Sequence, residues 1–384
     1  MSMKKLSKKM LAVVAAGAMT MGLAMPAFAA GAGEETTKVT KAYISKTYNT
    51  EVGKAMEFKF TATQNTTDAD VVKSEVACTI PSISFTEGET GTTKKVSSEI
   101  TFAPFKEAGK YEYTVTESAT TDPVVTASKY EKLIMSQAEY KMDVYVVENP
   151  VGTFKVDNIV VNKTKDDNNK PTEGKVDISG DKDKNTFNFV NTYVQEAGTG
   201  TDPTNPDPTY KDNGALKVSK TIDAQGEKPS TTDSFSFTAT FVFPEGTDAT
   251  TLGGVKGNGE DVSLTKGAYT FTLKHGDNMK FTGLPVGTKI TVTETGAANY
   301  KGSASVVLNG GDAKIVAAGK YHEDLTAVDG DNDKLGQNKN TVDVTNTYNH
   351  VPTTGIIMNT LPYVLMIALC GAALFGFVAF KRRR

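Results

Sequence analysis

Phe187-Asn188-Phe189-Val190-Asn191-Thr192-Tyr193 returns later in the chain as Val342-Asp343-Val344-Thr345-Asn346-Thr347-Tyr348. Side chains alternate faces along a strand. Counting back by twos from Asn191 therefore meets Phe189 and Phe187, and from Asn346 it meets Val344 and Val342. Each stretch reads as the last strand of a domain, with its asparagine on the apolar face. A buried amide without a partner is costly, so each asparagine calls for polar company inside the fold.

The preceding sequence supplies that company twice. Around 42–48, Ala42, Ile44, Lys46 and Tyr48 share a face; around 111–117, Tyr111, Tyr113, Val115 and Glu117 do. In the second half, Leu216, Val218, Lys220 and Ile222 share one face, and Ile290, Val292 and Glu294 another. The local words agree as well. Ile44-Ser45-Lys46-Thr47 matches Val218-Ser219-Lys220-Thr221, and Thr114-Val115-Thr116-Glu117 matches Thr291-Val292-Thr293-Glu294. A single inward charge reads as a snorkelling side chain or a shifted register; two matched sets of Lys, Glu and Asn do not.

Burial gives these residues chemistry. Desolvation lowers a lysine pKa toward a neutral, nucleophilic amine and raises a glutamic acid pKa so that it stays protonated and can shuttle protons. The asparagine carboxamide is then the electrophile, and loss of ammonia leaves an isopeptide bond, with packing supplying the proximity. The same residues also fit a buried Lys–Glu ion pair capped by Asn, which would contribute little stability.

Around these residues the text is β-like, with Thr, Val, Tyr and Phe alternating with polar residues between turn signals. Strands are expected near 57–63, 75–80, 96–102, 111–117, 140–147 and 153–161, with a short helix or irregular crossing at 127–135 and a lysine-rich loop over 162–183. The pattern restarts after a Pro-rich linker, 196–213, that reads as a semi-extended spacer. Further strands are expected near 215–222, 234–243, 269–273, 279–283, 289–294 and 304–308. The reading is all-β: two Ig-like β-sandwiches in tandem, at 37–195 and 214–349.

Both ends carry targeting signals. Lys4, Lys5, Lys8 and Lys9, an apolar run and Ala27-Phe28-Ala29 read as a signal peptide over 1–29. At the other end an apolar segment, 356–380, is long enough to cross a bilayer and is closed by the basic tail 381–384. Removing both ends takes eight positive charges and no negative ones, so the formal charge of −3 becomes −3 − 8 = −11. All three arginines lie in the tail, which leaves the mature chain without bidentate phosphate donors and argues against nucleic acid. Cys370 lies in the apolar segment, so Cys78 alone remains and no internal disulfide forms in an exported chain whose compartment would allow one.

Val351-Pro352-Thr353-Thr354-Gly355, followed by the apolar segment and basic tail, resembles the sorting signal of sortase substrates. With the paired Lys, Glu and Asn sets, the chain resembles a sortase-assembled backbone (major) pilin of Gram-positive bacteria, of the streptococcal isopeptide type. The resemblance implies CnaB-like domains, with cross-links between Lys46 and Asn191 promoted by Glu117, and between Lys220 and Asn346 promoted by Glu294. It implies cleavage between Thr354 and Gly355 and transfer by a pilus-specific sortase to a lysine of another copy. Lys184 is the first choice for that lysine, with Lys182 and Lys163 behind it. Other implied partners are cell-wall peptidoglycan, ancillary pilins and host surface ligands, with no cofactor and no turnover activity beyond self-cross-linking. A monomeric wall-anchored adhesin using the same domains as a stalk is the alternative.

Other signals are weaker. Asp329-Gly330-Asp331-Asn332-Asp333 spaces carboxylates like a calcium loop but has Lys334 where the turn glycine belongs, and reads better as a polar hairpin loop. His275, His322 and His350 show no nucleophile–base pairing.

Overall fold

The inward parity read around Lys46 is realised in full: Ala42, Ile44, Lys46 and Tyr48 are all buried. The computed structural model describes residues 38–349. The signal peptide, the residues Val351, Pro352, Thr353, Thr354 and Gly355, the apolar segment and the basic tail lie outside them. No helix among the described residues is long and apolar enough to cross a membrane.

Two β-sandwiches follow one another, each with its own apolar core. In the first, a four-stranded sheet runs in the order Gly91–Val96, Ser45–Thr50, Asn188–Gln195, Glu131–Ile134. It faces a five-stranded sheet ordered Pro171–Lys175, Thr153–Lys165, Glu139–Asn149, Gly109–Glu117, Phe60–Asn65. In the second, Leu216–Asp223 and Thr341–Tyr348 sit at the middle of a seven-stranded sheet. Its partner sheet is ordered Ala268–Leu273, Phe235–Val242, Lys289–Glu294, Leu325–Lys334.

In both units the first and last long strands are parallel neighbours with one register. Lys46 pairs with Phe189 and Tyr48 with Asn191; Lys220 pairs with Val344 and Ile222 with Asn346. The closing strand is held by what its inward positions carry. Phe187 and Phe189 pack on Tyr140 with ring centroids 4.7 and 5.1 Å apart, while Val342 and Val344 fill the second core. Each such aromatic pair adds about 0.5–1.5 kcal/mol beyond its buried area.

The structure departs from the sequence reading in several segments. Residues 127–135 hold no helix; Glu131–Ile134 is a strand added to the edge of the closing strand. The loop expected at 162–183 is partly sheet, since the hairpin strand continues to Lys165 and Pro171–Lys175 pairs with it. Asp329 to Asp333 form no hairpin loop but belong to the strand Leu325–Lys334, and no metal-holding cluster occurs among the described residues.

The linker, expected as an exposed, semi-extended spacer, is docked. Glu196, Ala197 and Thr199 are buried, Ala197 N–H donates to Leu284 at 2.9 Å, and Tyr210–Asn213 forms a single helical turn. Glu196 Oε1 accepts from Gly283 N–H at 2.6 Å and from the Tyr210 hydroxyl at 2.7 Å. Local Asp-to-Thr bonds at Asp202–Thr204 and Asp207–Thr209 fold its polar residues into turns. The two sandwiches also meet directly. Lys334 Nζ lies 3.2 Å from Glu51, and Gly287, at φ +86°, has Glu51 against the place a Cβ would take.

Candidate functional site

Each sandwich buries a Lys, a Glu and an Asn in mutual contact between its sheets. The lysine and asparagine come from the adjacent parallel strands of one sheet. The glutamate stands at the end of a strand of the other, Gly109–Glu117 or Lys289–Glu294. The Lys46 side chain is 0% and that of Glu117 1% exposed; Lys220 and Glu294 are 0% and 3%. Asn191 and Asn346 are buried as well. The structure thus brings together all six residues that the sequence singled out.

The two triads share one geometry. Lys46 Nζ lies 2.7 Å from Glu117 Oε1, and Asn191 Nδ2 donates to that same oxygen at 3.0 Å. Lys220 Nζ lies 2.8 Å from Glu294 Oε1, and Asn346 Nδ2 donates to it at 2.8 Å. One carboxyl oxygen therefore touches both the amine and the carboxamide nitrogen. Aromatic rings line the lysines, with Lys46 Nζ 4.4 Å from the Phe58 centroid and Lys220 Nζ 4.2 Å from that of Phe235.

Burial shifts the lysines and the acids toward their neutral forms. Burial pulls Lys46 down to about 8, against the opposing pull of Glu117, and Lys220 to about 8 against Glu294. Burial likewise pushes both glutamic acids up, partly offset by their lysines. As an ion pair the sites are poorly satisfied. Neither Nζ makes an aligned hydrogen bond, and Glu117 Oε2 and Asn346 Oδ1 have no partner. Such buried gaps call for a reason. A neutral amine beside a carboxamide, with an acid reaching both nitrogens, is equipped for aminolysis. The acid can take a proton from the attacking amine and deliver it to the departing nitrogen.

In both sites the acid faces the carboxamide nitrogen. The Asn191 oxygen accepts from the Ser136 N–H at 2.7 Å, a contact with no signal in the sequence because it depends on how the segment before Glu139–Asn149 folds back.

The three candidate surface lysines differ. Lys184 is 74% exposed and loosely paired with Asp181 at 3.5 Å. Lys182 is exposed. Lys163 is committed elsewhere, 3.0 Å from Asp167 and over the Tyr140 ring.

Known proteins share parts of this chain. A family model described as a domain of unknown function, DUF7601, matches residues 214–348, the second sandwich. A protein named pilin, from Streptococcus pyogenes serotype M1, is 32% identical over 130 residues. In sequence, the chain resembles a streptococcal pilin. That pilin-like match spans 33% of this chain and 36% of its relative. Among solved structures, the major pilin of Streptococcus pyogenes is 20% identical, with 81% of this chain and 99% of that one covered at a TM-score of 0.31. A second major pilin of the same species (T3.2) is 18% identical, covering 82% and 98% at a TM-score of 0.28.

Proposed function

We propose that this chain is the shaft subunit of a surface pilus, in which each sandwich welds its first strand to its last by an isopeptide bond. Lys46 joins Asn191 with Glu117 as proton shuttle, and Lys220 joins Asn346 with Glu294. The observation that carries this reading is the twinned triad: in both sandwiches one sealed glutamate oxygen reaches both nitrogens that must exchange a proton.

The topology gives the bonds a purpose. Because first and last strands run parallel, tension enters at one end of the sandwich and leaves at the other. A Lys–Asn bond passes that tension between neighbouring strands and leaves the intervening chain unloaded. Neither bond is reducible, unlike a disulfide.

Polymerisation is the second half of the reading. Sortase would cut after Thr354 and pass the acyl group to Lys184 of another copy, with the last subunit joined to peptidoglycan. The full chain incubated with its sortase should yield a ladder that survives boiling in detergent and collapses in Lys184→Ala. A wild-type chain that stays monomeric would favour a stalk for an adhesin. A ladder that persists in Lys184→Ala would move the acceptor to another lysine.

A further inference from the structure

The first triad has a support that the second lacks. Asp167 Oδ1 accepts from the Ser136 hydroxyl at 2.6 Å and from the Val190 N–H at 2.9 Å, and its backbone carbonyl accepts from the Gln137 N–H at 3.0 Å. It thus grips the residue before Asn191 and the turn that faces it. Ser136, buried and so gripped, turns its N–H onto Asn191 Oδ1, while Asn191 Nδ2 also meets Met135 Sδ at 3.2 Å. Every polar atom of the Asn191 carboxamide is held. In the second sandwich Asn346 Oδ1 has no partner.

We propose that Asp167 is a positioning residue for cross-linking in the first sandwich, holding Ser136 so that its N–H receives the charge that develops on the Asn191 oxygen. This rests on the cross-linking reading above. The neutral Lys46 amine forms the new bond to Asn191 Cγ, and the C=O pair moves onto Oδ1 against the Ser136 N–H. Glu117 carries the amine proton to Nδ2, the C=O re-forms, and ammonia leaves. Donors fixed in advance at such an oxygen are worth far more than mobile water.

The charge of Asp167 also bears on the triad. It favours protonation of both Lys46 and Glu117. The other charged or titratable groups nearby are Lys163 and Tyr140, which face Asp167, the Lys165–Glu139 pair, which lines the cavity shared by Glu117 and Ser136, and Lys95, which lies opposite Lys46 and pairs with Glu89.

The full chain made in a short cell-free pulse, quenched at intervals and mapped by mass, gives both cross-linking rates in one molecule. Asp167→Ala should slow the Lys46–Asn191 bond by roughly 10²-fold and leave the Lys220–Asn346 bond unchanged. Asp167→Asn keeps an acceptor for Ser136 and Val190. It should restore most of the rate and move the rate–pH profile of the first sandwich to lower pH, a shift that a merely structural role would not produce. An Asp167→Ala chain as fast as wild type overturns the proposal. So does an Asp167→Asn chain with an unmoved profile, which decides the matter should the alanine variant not fold. Absence of both bonds from the wild-type chain is a different result and overturns the cross-linking itself.

Discussion

Replacing Asn346 by alanine removes the electrophile of the second sandwich while leaving Lys220 and Glu294 as a 2.8 Å pair. The buried amine keeps its acid partner, so no lone buried charge is left. A cross-link closing a loop on the order of 100 residues is worth about 5 kcal/mol in denatured-state entropy. For a domain the size of residues 214–348, that loss lowers Tm by roughly 15–20 °C. Calorimetry of the full chain should therefore show the second transition falling while the first stays. The variant should also gain a pH dependence. Its free Lys220, near 8 when folded and 10.5 when unfolded, binds fewer protons in the folded state between those values. Stability therefore rises with pH across that window, whereas a cross-linked Lys220 does not titrate. A second transition that stays within a few degrees of wild type, with no alkaline rise, would refute the reasoning.

Three further outcomes follow from the same structure. Pulled by its ends, the wild-type chain should show no lengthening from either sandwich. Lys46→Ala and Lys220→Ala should each release a step of roughly 400–500 Å, the contour of a loop of somewhat over 100 residues. Measured against each variant's own calculated linear mass, Glu117→Ala and Glu294→Ala should each lack one ammonia where the wild type lacks two, and the double variant should lack none. Gly287→Ala forces a Cβ toward Glu51 at a positive φ; it should cost about 1 kcal/mol or more and loosen the joint between sandwiches, visible as a broader end-to-end distribution in small-angle scattering.

Much of the site was legible because a strand converts sequence parity directly into facing. Lys46, Lys220, Glu294, Asn191 and Asn346 could be assigned inward from their apolar neighbours alone, and Glu117 from Tyr111, Tyr113 and Val115. What escaped were features set by pairing rather than parity. Glu131–Ile134 shows no apolar alternation, because its buried Glu131 is matched by the Tyr193 hydroxyl at 2.7 Å and by Lys54 at 3.1 Å. Leu325–Lys334 breaks alternation with two adjacent buried residues, Ala327 and Val328, where its register against Lys289–Glu294 shifts. The linker looked exposed because its composition is polar, yet its buried groups find partners on Leu284, Gly283 and Gln337 that no local pattern announces. Asp167 and Ser136 belong to the same class. Nothing near them in the chain points to Asn191, and only the folded turn joins them.

The most direct measurement is the intact mass of the purified chain, followed by peptide mapping of both sandwiches. The account requires a deficit of two ammonias and branched peptides that join Lys46 to Asn191 and Lys220 to Asn346. A full mass, with those four residues recovered in linear peptides, would contradict it.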